Sequence, residues 1–286
     1  MKFASLRSSA QILIFLFSAL PLAASSLSAR PADAEKHHVD LDALATTLDA
    51  GLRTAGVKSV AVADFVDPNG SGNGFTWYLS GKVSDALRED IAESNGPRFV
   101  SRGMLTDSKL TTEEMSSPAA LARIGAIWGV AAIVTGTIDV YPDRYVVKAI
   151  VKRVSDGSSI VAAAQNVPRR HFLDLLLPEG TDAESAHLKT IGADGVTAPV
   201  CVYCPVPGYS DDALAAKIQT AKVTLTITVS TKGEPIKVVL DKNPGFGLGE
   251  KAIEDVSEWK FRPAMQNGKP VTVTVPIEVN FNLART

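Results

Sequence analysis

The chain holds only 2 cysteines among 286 residues, few aromatics (10 Phe, 5 Tyr and 3 Trp) and no excess of either charge. Each scarcity excludes something. With 29 basic and 31 acidic residues the net charge is -2, and no basic stripe interleaves with aromatic side chains. A nucleic-acid partner therefore lacks its electrostatic footprint. Neither G-x-S-x-G nor H-E-x-x-H occurs, so these hydrolase and metallopeptidase signatures are missing. Beyond the first thirty positions or so, no apolar run approaches the roughly 20 residues that a membrane-spanning helix needs. What is present is ordinary globular material. The chain is 45% hydrophobic and 21% charged, enough for packed cores, and its length favours two domains over one.

Lys2 and Arg7 precede an apolar stretch at 12–24, and small residues follow at Ser25, Ser26, Ser28 and Ala29. This is the layout of a secretory signal peptide. Residues 1–29 are expected either to be removed on export to the periplasm, after Ser26 or Ala29, or to stay as a signal anchor. The anchor would hold the chain on the periplasmic side of the inner membrane. Ala32-Asp33-Ala34 offers a later cleavage site. No cysteine lies near, so a lipid anchor is not expected. Both cysteines sit in Cys201-Val202-Tyr203-Cys204, and an oxidising compartment favours a local disulfide between them. A redox pair is opposed by Pro205 and Pro207, which prevent an immediate helix start, and a metal site by a shortage of ligands, with only His171 and His187 near in sequence. No metal or other cofactor is expected. His37, His38 and Asp40 make at most a weak metal group.

From 40 to 165 the patterns alternate between helix and strand. Leu41, Leu44, Leu48 and Leu52 fall on one helical face, as do Leu79, Val83, Leu87 and Ile91 further on. Between them Ser59-Val60-Ala61-Val62-Ala63-Asp64-Phe65 reads as a buried strand. Gly70-Ser71-Gly72-Asn73-Gly74 is a loop between strand and helix, a place for a phosphate only in principle, since it lacks P-loop and dinucleotide spacing. Thr112-Glu113-Glu114 and Ser117-Pro118 mark helix starts, and paired carboxylates such as Glu113-Glu114 and Asp211-Asp212 read as helix-start charges. Strands follow at 131–140, 145–154 and 159–164, the last two joined at Asp156-Gly157. An α/β domain with a mixed sheet is expected. Val60-Ala61-Val62-Ala63-Asp64-Phe65, Phe99-Val100-Ser101-Arg102 and Gly129-Val130-Ala131-Ala132-Ile133-Val134-Thr135-Gly136-Thr137 together resemble the FlgO and curli-secretion CsgG group of envelope proteins, which implies an exported, non-enzymatic role. Residues 166–204 read as a flexible linker that lets two domains move independently, with one helical turn expected over 172–177 and little periodicity over 180–199.

Strict alternation over 223–229, a turn at Lys232-Gly233-Glu234 and a return over 236–240 predict a β-hairpin. Leu248, Ala252, Ile253 and Val256 share a helix face. Val271, Val273, Val275, Ile277, Val279 and Phe281 lie on one side of a long final strand. The order of Pro207-Gly208-Tyr209-Ser210, Ala213, Ala216 and Lys217, Gly233, Trp259-Lys260-Phe261-Arg262-Pro263-Ala264 and Gly268-Lys269-Pro270-Val271 resembles the TonB C-terminal domain over about 205–283. The whole chain is then α+β: an α/β domain followed by a small TonB-like β-β-α-β domain from 205 to 286. The resemblance implies a periplasmic module that captures segments of outer-membrane transporters by strand addition. The strand from Val271 to Phe281 is expected to supply the backbone contacts, and Trp259, Phe261 and Pro263 to hold the helix on the sheet. Two departures matter. The 12–24 stretch offers only Ser18 as a polar group, and a globular domain replaces the Pro-rich spacer of the family. A non-enzymatic binding protein of the envelope, linked to TonB-type transport, is the first expectation. A membrane-anchored energy transducer is the second, and exposed strand edges leave room for a homodimer.

Overall fold

The computed structural model describes residues 37–100, 117–178 and 188–283. The export signal, Ser101-Arg102, the helix start at Thr112-Glu113-Glu114 and part of the expected linker lie outside these residues.

Helix α1 (Asp42–Thr54) buries Leu44, Leu48 and Leu52, the stripe expected from their spacing, with Leu41 buried just before its first turn. Its Leu44 amide donates to Gln165 Oε1 at 2.8 Å, which fixes the helix start on the sheet. Strand β1 (Ser59–Val62) is fully buried. Helix α2 (Gly74–Ser94) begins with a reciprocal cap: Asn73 Oδ1 accepts from the Thr76 amide, and Thr76 Oγ1 accepts from the Asn73 amide. The glycine-rich loop thus leads into a helix start whose Thr76 donor is already used. Strand β2 (Arg98–Val100), helix α3 (Pro118–Trp128) and strands β3 (Ala132–Val140), β4 (Arg144–Arg153) and β5 (Ser159–Pro168) complete this half. The described residues form a mixed sheet in the order β2-β1-β3-β4-β5, parallel at β1–β2 and β1–β3 and antiparallel through β3–β4–β5. Alternation in β1 and β3 sends Val60, Val62 and Val134 into the core beneath α1 and α2. Ala61 and Ile133 go to the opposite face, against Leu121 and Ile124 of α3.

After the short helix α4 (His171–Asp174) come strand β6 (Val200–Tyr203), helix α5 (Asp211–Ala215), strands β7 (Thr220–Val229) and β8 (Pro235–Lys242), and helix α6 (Leu248–Ser257). Strands β9 (Lys260–Arg262), β10 (Ala264–Gln266), β11 (Lys269–Val271) and β12 (Val273–Asn282) close the chain. The main sheet runs β12-β7-β8, all antiparallel, with α6 packed on one face. Its other face is polar: Lys222 meets Glu278 at 3.0 Å and Thr226 donates to Asp241 at 2.6 Å. Gly233, at φ +79, turns the hairpin where an added Cβ would stand 1.8 Å from the Phe261 carbonyl oxygen, so only glycine fits. Two expectations need adjusting. Helix α6 stops at Ser257, and the Trp259–Ala264 stretch is largely strand because it pairs outward with β6 and β11. Val271 does not belong to the final strand. The Asn267-Gly268 turn folds Lys269–Val271 back on Ala264–Gln266, and Thr272 breaks the run.

The expected free linker also needs correction. Residues 166–168 complete β5, with Pro168 opposite Arg144. Phe172, Leu173, Leu175 and Leu176 are buried, and the Val238 amide of β8 donates to the Leu175 carbonyl at 2.8 Å. The apolar run was long enough to bury but too short to show a period. The core of the first half continues through it into that of the second. At this seam α2 lies against α6. Tyr78 donates to Glu254 Oε1 at 2.9 Å, and Lys82 Nζ stands 2.5 Å from the same oxygen. Lys251 reaches Glu254 Oε2 at 3.4 Å, Arg88 pairs with Asp212, and the Phe172 ring packs edge-on against Tyr78 at 5.8 Å. Burial pushes the Glu254 carboxyl up, but Lys82 and Lys251 outweigh it and leave it below the usual carboxylate range. Burial pulls the Lys82 ammonium down, and Glu254 and Asp85 more than restore it. Burial, followed by Glu254, drives the Tyr78 hydroxyl well above its ordinary value, so it stays a donor.

Candidate partner-binding edge

Strand β12 pairs with β7 from Val273 opposite Val229 to Asn282 opposite Thr220. Its side chains alternate strictly. Val273, Val275, Val279 and Phe281 are buried and Ile277 is half-buried, all on the face that α6 covers, whereas Thr274, Pro276, Glu278, Asn280 and Asn282 are exposed. Five of the six residues expected to bind a partner therefore share one face of one strand, and Val271 stands apart on β11. Their side chains belong to the core. Whatever they offer a partner is backbone.

Which backbone groups face outward follows from two contacts. The Leu283 amide donates to Gln219 on the β7 side, and the Thr272 carbonyl accepts from the Lys189 amide at 2.9 Å on the opposite side. Backbone groups alternate along a strand. The odd-numbered positions therefore face β7, and Thr274, Pro276, Glu278, Asn280 and Asn282 face out. Pro276 sits at an outward position, where its missing N–H costs the β7 ladder nothing. Among the described residues no strand pairs with this outer edge, which meets one isolated bridge, Lys189 to Val273. The edge thus presents the Pro276 carbonyl and the amides and carbonyls of Glu278, Asn280 and Asn282. Pro276 and the charge of Glu278 are devices that discourage indiscriminate edge pairing.

Trp259 and Phe261 are 6% and 9% exposed, with ring centroids 6.2 Å apart, and Trp259 Nε1 donates to the Pro205 carbonyl at 3.2 Å. Pro263 is half-buried between β9 and β10. Cys201 and Cys204 form a disulfide in and just after β6, a strand exposed throughout. Asp211 and Asp212 open α5, where Ser210 Oγ accepts from the Ala213 amide. His37 packs edge-on against Phe172 with ring centroids 4.9 Å apart. No group of three His, Cys, Asp or Glu able to hold a metal occurs among the described residues. No helix among them is long and apolar enough to cross a membrane. Sequence reasoning missed the seam: Tyr78 and Lys82 lie one helical turn apart on α2, a signal that this helix had a second buried face.

Residues 205–283 match the family model of the Gram-negative bacterial TonB protein C-terminal. This segment is a TonB-like C-terminal domain, and β12 is its last strand. A search of curated proteins finds no match. Among solved structures, the LpoB C-terminal domain from Salmonella enterica is similar at 17% identity and a TM-score of 0.32, covering 44% of this chain and 95% of that one. A lipoprotein of Neisseria meningitidis is similar at 14% identity and a TM-score of 0.30, covering 39% and 80%. Escherichia coli LpoB, solved by NMR, is similar at 15% identity and a TM-score of 0.35, covering 57% and 84%. Likenesses of this size assign no activity.

Proposed function

We propose that this chain is a non-enzymatic, periplasmic binding protein of the Gram-negative envelope. Its TonB-like domain takes up an extended segment of an outer-membrane transporter or another envelope protein as an added strand on β12. The observation that carries the reading is the outward row of backbone groups at Pro276, Glu278, Asn280 and Asn282, on the last strand of the segment that matches the TonB family. An incoming strand satisfies these groups by main-chain hydrogen bonds, and the exposed side chains beside them tune the choice. The first half, bolted on through α2, is the body that carries a second contact. The seam weighs against a transducer that pulls through a long free tether, because α6 is already held by Lys82 and Tyr78.

A photo-crosslinking amino acid in place of Asn280, in the full chain in cells, tests this. An adduct with an outer-membrane or other envelope protein is expected at 280, and none at Glu89, on the exposed side of α2. Adducts at 89 and none at 280 would sink the reading.

A further inference from the structure

The second part of the expected linker does not hang free. It wraps the TonB-like domain in two limbs joined by a turn. In the near limb, Lys189 lies parallel to β12 on its outer edge, bridged to Val273 and donating to Thr272. The chain then turns, with the Gly192 amide donating to the Val196 carbonyl at 2.9 Å. In the far limb the Thr197 amide donates to Met265 of β10 at 2.9 Å, and the Met265 amide donates back to Thr197 Oγ1 at 2.9 Å. Strand β6 continues in the same antiparallel sense along β9, with Val200 opposite Arg262 and Cys201 opposite Phe261.

The limbs are held unequally. Leu188, Lys189 and Thr190 are all exposed, so the near limb rests on backbone pairing, with the half-buried Ile191 at its turn as its one apolar contact with the core. The far limb has the Thr197–Met265 exchange, the β6–β9 ladder, the Cys201–Cys204 disulfide at its end and the buried Val196 at its root. Segments with few buried apolar contacts open locally at low free energy, while laddered ones stay. The near limb also sits on the edge that accepts strands, in line with the open groups from Pro276 onward.

We propose that residues 188–203 are a built-in strap whose near limb occupies the first part of the strand-accepting edge of β12, and that a partner strand extending past Pro276 toward Val273 must displace it. This rests on the strand-addition reading and adds its regulation. With the strap seated, a partner has 276–282. With the near limb lifted it gains the Thr272 carbonyl and the outward groups of Thr274. The far limb keeps the strap attached, so lifting is reversible.

Residue-resolved amide hydrogen exchange on the full chain decides whether the strap lifts by itself. The Lys189 amide is expected to exchange at least about tenfold slower than an unprotected amide and at least about a hundredfold faster than Ile277 and Val279, which face β7. Exchange at the Ile277 rate means that the near limb leaves only on unfolding and overturns the proposal. Unprotected exchange means that it is not seated and overturns it too. A second arm uses Lys189→Pro, which removes the donor to Thr272. With the crosslinker in place of Thr274, Lys189→Pro is expected to raise the adduct yield several-fold, with the yield at 280 unchanged. No gain at 274, with adduct still forming at 280, rejects the strap alone. No adduct at 280 in the unaltered chain rejects strand addition, and the exchange rates still decide the strap.

Discussion

The seam between the halves and the outer edge of β12 belong to the same small domain and treat their polar groups in opposite ways. At the seam, charge is buried and closed off: Glu254 is gripped by Lys82, Tyr78 and Lys251. At the edge, the uncharged backbone groups of Pro276, Glu278, Asn280 and Asn282 meet no strand among the described residues. The contrast teaches where this domain is finished and where it is not. A buried ion pair is costly to break because the survivor is left without a partner, so the seam is a permanent contact. An open row of backbone groups loses nothing when a strand arrives, so the edge is an exchangeable one.

Substitutions at the seam should act on stability and those at the edge on binding. The largest expected effect is at Glu254. Glu254→Gln keeps the shape but takes from the Lys82 ammonium its closest counter-charge, leaving it Asp85, and should cost about 3 kcal/mol in urea unfolding. Tyr78→Phe removes one hydrogen bond to a charged group and should cost about 2 kcal/mol in the same assay. Acid should loosen the seam as well. The folded Glu254 carboxyl lies below its unfolded value, so its contribution is complete above the ordinary carboxylate range and fades as pH falls through the lowered value. Thermal unfolding followed from neutral pH downward should show that fade, and Glu254→Gln should flatten it. The smallest effect is expected beside the edge. Lys222→Ala breaks an exposed pair with Glu278 and should shift stability by less than about 0.5 kcal/mol. A loss at Lys222 as large as that at Glu254 would erase the contrast.

The sequence made the edge strand easier to read than the seam, for a physical reason. A strand buried on one face writes its burial at every second residue, and Val273, Val275, Val279 and Phe281 do so. The alternation continues back to Val271 only because a hairpin strand happens to keep the same parity, and backbone reversal at Asn267-Gly268 leaves no mark on side-chain polarity. The seam depends on contacts between residues far apart in the chain. Lys82 and Glu254 each look like ordinary solvated helix charges until α2 and α6 are placed together. The mixed sheet and its helices followed from periodicity, with Leu79, Val83, Leu87 and Ile91 buried as spaced. The packing of Phe172, Leu173, Leu175 and Leu176 did not, since one helical turn is too short to show a period.

The most direct test of backbone recognition at β12 compares two substitutions at one position, with the crosslinker in place of Asn282. Asn280→Pro removes an outward N–H while leaving the β7 ladder its donors, and should lower the adduct yield about tenfold, the scale of one lost hydrogen bond. Asn280→Ala removes the side chain and keeps the N–H, and should leave the yield unchanged. Equal yields from the two variants would contradict strand addition and place recognition in side chains instead.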